Sequence, residues 1–250
     1  MLLQTNLRLN AGRLDAYVVS GEIMKFLGIS LFENGAATPN CVEQFNKTMD
    51  VAREIALTNP QALRELIRAL LRPLQSEHIL AAAERGDHKA PCPIEGNSFF
   101  FVNQELFSGA KHYLRNSPVI ELNLAYDPIL PTPWKRSGFV NALANIGVGK
   151  RCGAWKQESN HVVSLWLPWG IGFVGGGNHS IASGILSGKN IPITATEVFD
   201  FSPVLDLVMC DGKAYRNKQT GELLAKATDH RRAAVFEIGR LMKELNVSIS

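Results

Sequence analysis

A chain of 250 residues with a net charge of +3, 46% hydrophobic residues and 20% charged residues is long enough to bury a full core and has the composition of a folded domain. These values exclude disorder and coiled coil, and no apolar run reaches the ~18 residues needed to span a bilayer. The basic residues form no dense run: Arg231-Arg232 and the loose set Lys135, Arg136, Lys150 and Arg151 are the nearest groupings. The charge therefore permits contact with nucleotide or nucleic acid without arguing for it. Cys41, Cys92, Cys152 and Cys210 stand far apart with no C-x-x-C pair. That spacing argues against a zinc site and suits reduced thiols in a cytoplasmic protein.

The first forty residues show no clean period. From there Val42, Phe45, Met49, Ala52 and Ala56 recur every three or four residues and predict a helix, with Asn40 as its cap and Glu43 placed as in a capping box. Pro60 suits the start of a second helix, whose core face is Leu63, Leu66, Ile67, Leu70, Leu71 and Leu74; Ser76 is expected to cap a third, ending at Gly86. Residues 86–97, with two prolines and two glycines, read as a connector. The expected division is a mainly helical region over 1–97 and an α/β domain over 98–250.

In the second region Phe99–Val102 reads as a buried strand, Lys111–Arg115 as a helical turn, and the alternation Val119–Leu124 as a half-buried strand. The three prolines between Asp127 and Trp134 demand an extended loop. Phe139–Ile146 reads as a helix, His161–Leu167 and Trp169–Val174 as strands, and Ile191–Phe199 as one more. Asp211-Gly212 marks a hairpin turn, and Asp229 caps a last amphipathic helix through Leu245.

The segment that carries chemistry runs from Gly172 to Gly184. A strand leads into Gly175, Gly176 and Gly177, then Asn178, His179 and Ser180 open a helix. Glycines allow positive φ and close approach of a ligand, and a helix start directs free N–H groups and the positive dipole end at an anion. In this reading Gly175, Gly176 and Gly177 cradle phosphate, Asn178 and Ser180 cap the helix or donate to phosphate, and His179 is an acid/base near neutral pH. The run matches neither G-x-G-x-x-G nor the Walker pattern; a tight structural turn with a satisfied His179 explains it equally well.

The order of elements, together with Gly177-Asn178-His179-Ser180, Ala182 and Ile191-Pro192-Ile193 after Pro131, Pro133 and Arg136, resembles the ParB/sulfiredoxin superfamily over roughly residues 117–201. The resemblance implies an α/β (α+β) fold with a small mixed sheet, preceded by helices. It also implies binding of ATP or another nucleotide, with Mg²⁺ as a companion ion. Ser180 stands where most members carry Arg, so the charge would come from Arg136, Lys135 or Lys189. Asn178 stands where sulfiredoxins carry their cysteine, so cysteine sulfinic acid reduction is not expected. Fifty residues follow Asp200 and read as a hairpin and a helix, unlike the DNA-binding domain of partition proteins. The layout is similar to the plasmid fertility-inhibition (oncogenic-suppressive) branch. That likeness implies ATPase or DNA nuclease activity acting against conjugative DNA transfer, with DNA and a conjugation-machinery protein as partners.

Three readings stay open: such an enzyme, a catalytically inactive module that occludes a protein or DNA partner, and a phosphotransferase on a small metabolite. Asp200 is the expected catalytic carboxylate, because it ends a strand that should neighbour the glycine turn. Glu121, Asp127, Glu158 and Asp206 are the other acids near the segment in sequence, and the metal ligands stay unassigned. His161 precedes a strand and could face the turn. His78, His88, His112 and His230 read as surface residues. Trp134, Trp155, Trp166 and Trp169 either pack the core or stack on bases.

Overall fold

The computed structural model describes residues 40–89, 94, 98–101 and 119–249; the expected turn over Lys111–Arg115, His112 and Val102 lie outside them. Helix α1 (Cys41–Thr58) buries Phe45, Met49 and Ala52, as its period requires. Asn40 accepts the Val42 N–H at 3.2 Å, but Glu43 pairs forward with Lys47 at 2.7 Å, so the expected box is half formed. A 3₁₀ turn at Pro60–Ala62 leads into α2 (Leu63–Glu84), which runs unbroken through Pro73. No third helix starts at Ser76. The buried face of Leu63, Ile67 and Leu71 continues through Gln75, His78 and Ile79, and tertiary anchoring overrides the proline: Gln75 donates to the Ile129 carbonyl at 2.6 Å. His78 is thus a core residue, only 1% exposed. Phe99, Phe100 and Phe101 are buried as expected, but as bends rather than a strand.

The remaining order is β1 (Glu121–Asn123), β2 (Ile129–Leu130), α3 (Arg136–Asn145), β3 (Val163–Leu167), β4 (Ile171–Val174), α4 (Asn178–Leu186), β5 (Pro192–Thr194), β6 (Glu197–Asp200), α5 (Ser202–Leu207), β7 (Val208–Cys210), β8 (Ala214–Asn217), β9 (Leu223–Lys226) and α6 (His230–Glu244). The mixed α+β class is as expected. The central sheet has the order β2-β4-β3-β6: β2 is parallel to β4, β4 antiparallel to β3, and β3 parallel to β6. A pair β1-β5 and a meander β7-β8-β9 complete the strands.

Both faces of the central sheet are buried, with alternate residues serving different cores. Val163 and Leu165 join a cluster with Phe139, Ile181, Ala182 and Ile185 of α3 and α4. Trp166, Ile171 and Phe173 point into the other cluster, shared with α1, α2, α6 and the meander. Helix α6 is the hub of that second core, burying Ala233, Ala234, Val235, Phe236, Ile238 and Met242 against α1 and α2. Residues 40–250 form one compact unit.

Candidate functional site

The parallel pair β2 and β4 places two strand-to-helix turns at the same end of the sheet. Strand β2 leads through the buried Pro131 and Pro133 into α3, and β4 leads through the glycine turn into α4. Two helix starts thus lie side by side beyond the carboxyl ends of neighbouring strands, where ligands of α/β sheets bind. An ion pair holds the loop that leads into β2: Asp127, 8% exposed, accepts from Arg68 of α2 and from the Asn123 N–H, each at 2.7 Å.

The two turns are tied to each other by side chains of α4. Asn178 Oδ1 accepts the Thr132 N–H at 2.7 Å. His179 Nε2 lies 3.2 Å from the Lys135 N–H and 3.1 Å from the Lys135 carbonyl. One tautomer accepts the first and the other donates to the second, which leaves Nδ1 a donor or an acceptor respectively. Burial lowers the His179 pKa, against the raising effect of its bond to the Lys135 backbone, so the ring is neutral at pH 7. Its other flank is Gly138, where a Cβ would stand 2.9 Å from Nε2.

The glycines do different work from the expected phosphate cradle. The N–H groups of Gly175 and Gly176 both go to the Val162 carbonyl, at 2.9 and 3.3 Å. A Cβ on Gly176 would lie 2.5 Å from the Asn160 carbonyl oxygen, and one on Gly177 would collide with the His161 ring. The missing side chains admit residues 160–162, and the unpartnered backbone donors begin at Gly177. Gly177, with φ 75°, is the N-cap of α4 and supplies no side-chain bond. The N–H groups of Gly177, Asn178, His179 and Ser180 have no partner among the described residues, and the Ser180 hydroxyl has none either. In α3, Asp87 takes the Arg136 N–H at 2.7 Å, while Ser137 and Gly138 keep theirs. The Lys135 and Arg136 side chains are exposed. Arg136 lines an open 740 Å³ groove along α3 with Asp87, Val140 and Asn141.

His161 places a further side-chain donor beside the α4 start. It is 3% exposed and accepts the Glu158 N–H on Nδ1 at 2.8 Å, so its proton sits on Nε2. That buried Nε2 has no hydrogen-bond partner. Burial lowers the His161 pKa, opposed by the nearby Glu158 charge. The ring stacks on Trp155 at 5.0 Å, and Trp155 Nε1 donates to the Ser180 carbonyl at 2.9 Å. A buried donor without a partner is costly, and this one lies against the N-cap of α4.

Asp200 and Lys189 do not join this site. Strand β6 is parallel to β3, with Leu167 opposite Asp200, whereas Val174, at the glycine turn, pairs with Val163. Asp200 therefore ends its strand at the far end of the sheet, where it accepts the Ser202 N–H at 2.9 Å. Glu197 occupies the near end instead and accepts from Ser164 at 3.0 Å. Lys189 follows the C-terminal end of α4, away from the donors. Asp206 pairs with Lys243, and among the described residues no three His, Cys, Asp or Glu gather as a metal site. Three tryptophans pack the core, at 7%, 5% and 1% exposed for Trp155, Trp166 and Trp169, but Trp134 is 47% exposed. Sequence reasoning passed over Thr132 and Asp87, and read His88 only as a surface residue, which it is. Their contacts depend on which turns the sheet brings together, and local spacing carries no signal of that.

Residues 32–249 match the model of a family of unknown function (DUF6710), and the chain belongs to that family. No curated protein and no solved structure matches it.

Proposed function

We propose that this member of the DUF6710 family binds a phosphate-bearing ligand, a nucleotide, at the adjoining starts of α3 and α4. One observation carries the reading: the start of α4 keeps four backbone donors open while its own side chains hold the neighbouring loop, with the unpartnered Nε2–H of His161 buried against it. Oxygens of the phosphate accept from Gly177, Asn178, His179 and Ser180, where the helix dipole favours negative charge. The Ser180 hydroxyl and Asn178 Nδ2 are further donors, and Lys135 and Arg136 supply the cationic rim. This donor set suits an anion. Asp87, the carboxylate at the α3 start, is already engaged, so we assign no Mg²⁺ ligand.

The likeness to the ParB/sulfiredoxin superfamily supports the same ligand class and, through its fertility-inhibition branch, a role against conjugative DNA transfer. In this reading the protein is first a binding module. Hydrolysis is the second reading, favoured by His179: neutral at pH 7 and anchored through Nε2, it can present Nδ1 to a reacting water as a base.

The test uses Ser180→Asp. An acidic side chain in the first turn suits a helix start but repels a phosphate placed there. The variant should keep or slightly raise the unfolding midpoint and lose at least about tenfold in ATP affinity, roughly 1.4 kcal/mol. Equal ATP affinity in the variant and wild type would remove the ligand from this site. Turnover of ATP in the wild type that disappears in His179→Ala would establish the enzyme; binding without turnover would establish the module.

A further inference from the structure

Trp134 stands at the mouth of the same site, and its setting says how a nucleotide base would be held. It is the exposed member of the four tryptophans, at 47%. It follows Pro133, whose fixed φ limits the freedom of the segment, and precedes Lys135, whose backbone is tied to His179. The His88 N–H donates to the Trp134 carbonyl at 2.7 Å. The His88 ring lies 4.7 Å from the indole, tilted by 31°, and the His179 ring meets it edge-on at 5.5 Å. His88 takes φ 58° to do this, an uncommon conformation for a residue other than glycine, while its neighbour Asp87 caps α3. Two loops thus converge to fix one indole beside the α4 start, and nearly half of its surface remains open to solvent.

We infer that Trp134 is the stacking platform for the base of a free nucleotide whose phosphates lie on the start of α4. The inference rests on the nucleotide reading above and adds the ligand's second half. The phosphate end has its own support in the buried, unpartnered Nε2 of His161 against Gly177. An indole recognises a π-face, which every base has, so the site tolerates base identity and ranks bases by stacking strength. A free nucleotide fits better than a strand, because a strand needs successive platforms along a groove and the site presents a single exposed indole.

The experiment measures binding of ATP, UTP and tripolyphosphate (the base-free probe) to the full chain as wild type, Trp134→Ala and Trp134→Phe. The expected result is a roughly ten- to hundredfold loss of ATP affinity in Trp134→Ala, with tripolyphosphate held within about twofold, near-complete retention of ATP in Trp134→Phe, and ATP tighter than UTP. Unchanged ATP affinity in Trp134→Ala, with tripolyphosphate still binding, removes the base from Trp134 while the phosphate site stands. Equal losses of ATP and tripolyphosphate make Trp134 a support of the loop and overturn the inference. A single-stranded oligonucleotide that binds more tightly than ATP, and depends on Trp134, overturns the free-nucleotide assignment. If neither ATP nor tripolyphosphate binds the wild type, the phosphate reading fails and this inference falls with it.

Discussion

Helices α6 and α4 begin in opposite ways. At α6, Asp229 folds back and accepts the N–H groups of Arg231 and Arg232 at 2.8 and 3.0 Å, satisfying the first turn from within. At α4 the N-cap is a glycine without a side-chain bond, and Asn178 and His179 reach outward to Thr132 and Lys135. The first helix start is finished by local chemistry and serves the core. The second is steadied by a neighbouring loop, and its open donors are what an anion requires. The difference separates a start closed by its own side chain from one whose donors stay open.

The comparison can be broken most forcefully at Gly177. Gly177→Ala places a Cβ at φ 75° against the His161 ring, and should cost about 2–4 kcal/mol from left-handed strain and overpacking together. Urea unfolding measures it, and a loss below about 0.5 kcal/mol would mean the turn is not packed as described. Next in size is Asp229→Ala, which should cost about 1–2 kcal/mol and leave ATP affinity untouched; a drop in affinity would erase the contrast between the two helix starts. The smallest effect is with pH. His161, His179 and His230 have folded pKa values held below 6.5 chiefly by burial. The unfolded chain therefore binds more protons in that window, so stability present above pH 6.5 is lost as the pH falls toward the folded values. His161→Gln should flatten the slope of the urea midpoint between pH 7 and 5, and an unaltered slope would dissociate His161 from acid sensitivity.

What the sequence made legible was local. Asn40 and Asp229 bond to amides two or three residues away, and Asp211 organises its turn by accepting from Lys213 and Ala214. Each needs only near neighbours. The two-residue β2 inside the proline loop was not legible, because it exists through its pairing with Gly172 and Phe173. The direction of β6 was equally hidden, and with it the removal of Asp200 from the site. The glycine turn lies where the sequence places it, but the Val162 carbonyl claims the Gly175 and Gly176 amides, an outcome of the β3–β4 hairpin register. Helix α2 outlasted Pro73 because its apolar face continued beyond it, a tertiary gain that outweighs a local penalty.

The hub position of α6 also bears on biosynthesis. The apolar faces of α1 and α2 are covered by α6, which is translated more than a hundred residues later. At roughly 5–20 residues per second, the nascent chain carries those faces uncovered for roughly 10–40 s. Over that interval the emerging helices are natural clients for a ribosome-associated chaperone, and a premature stop before residue 230 leaves a product without the centre of its larger core.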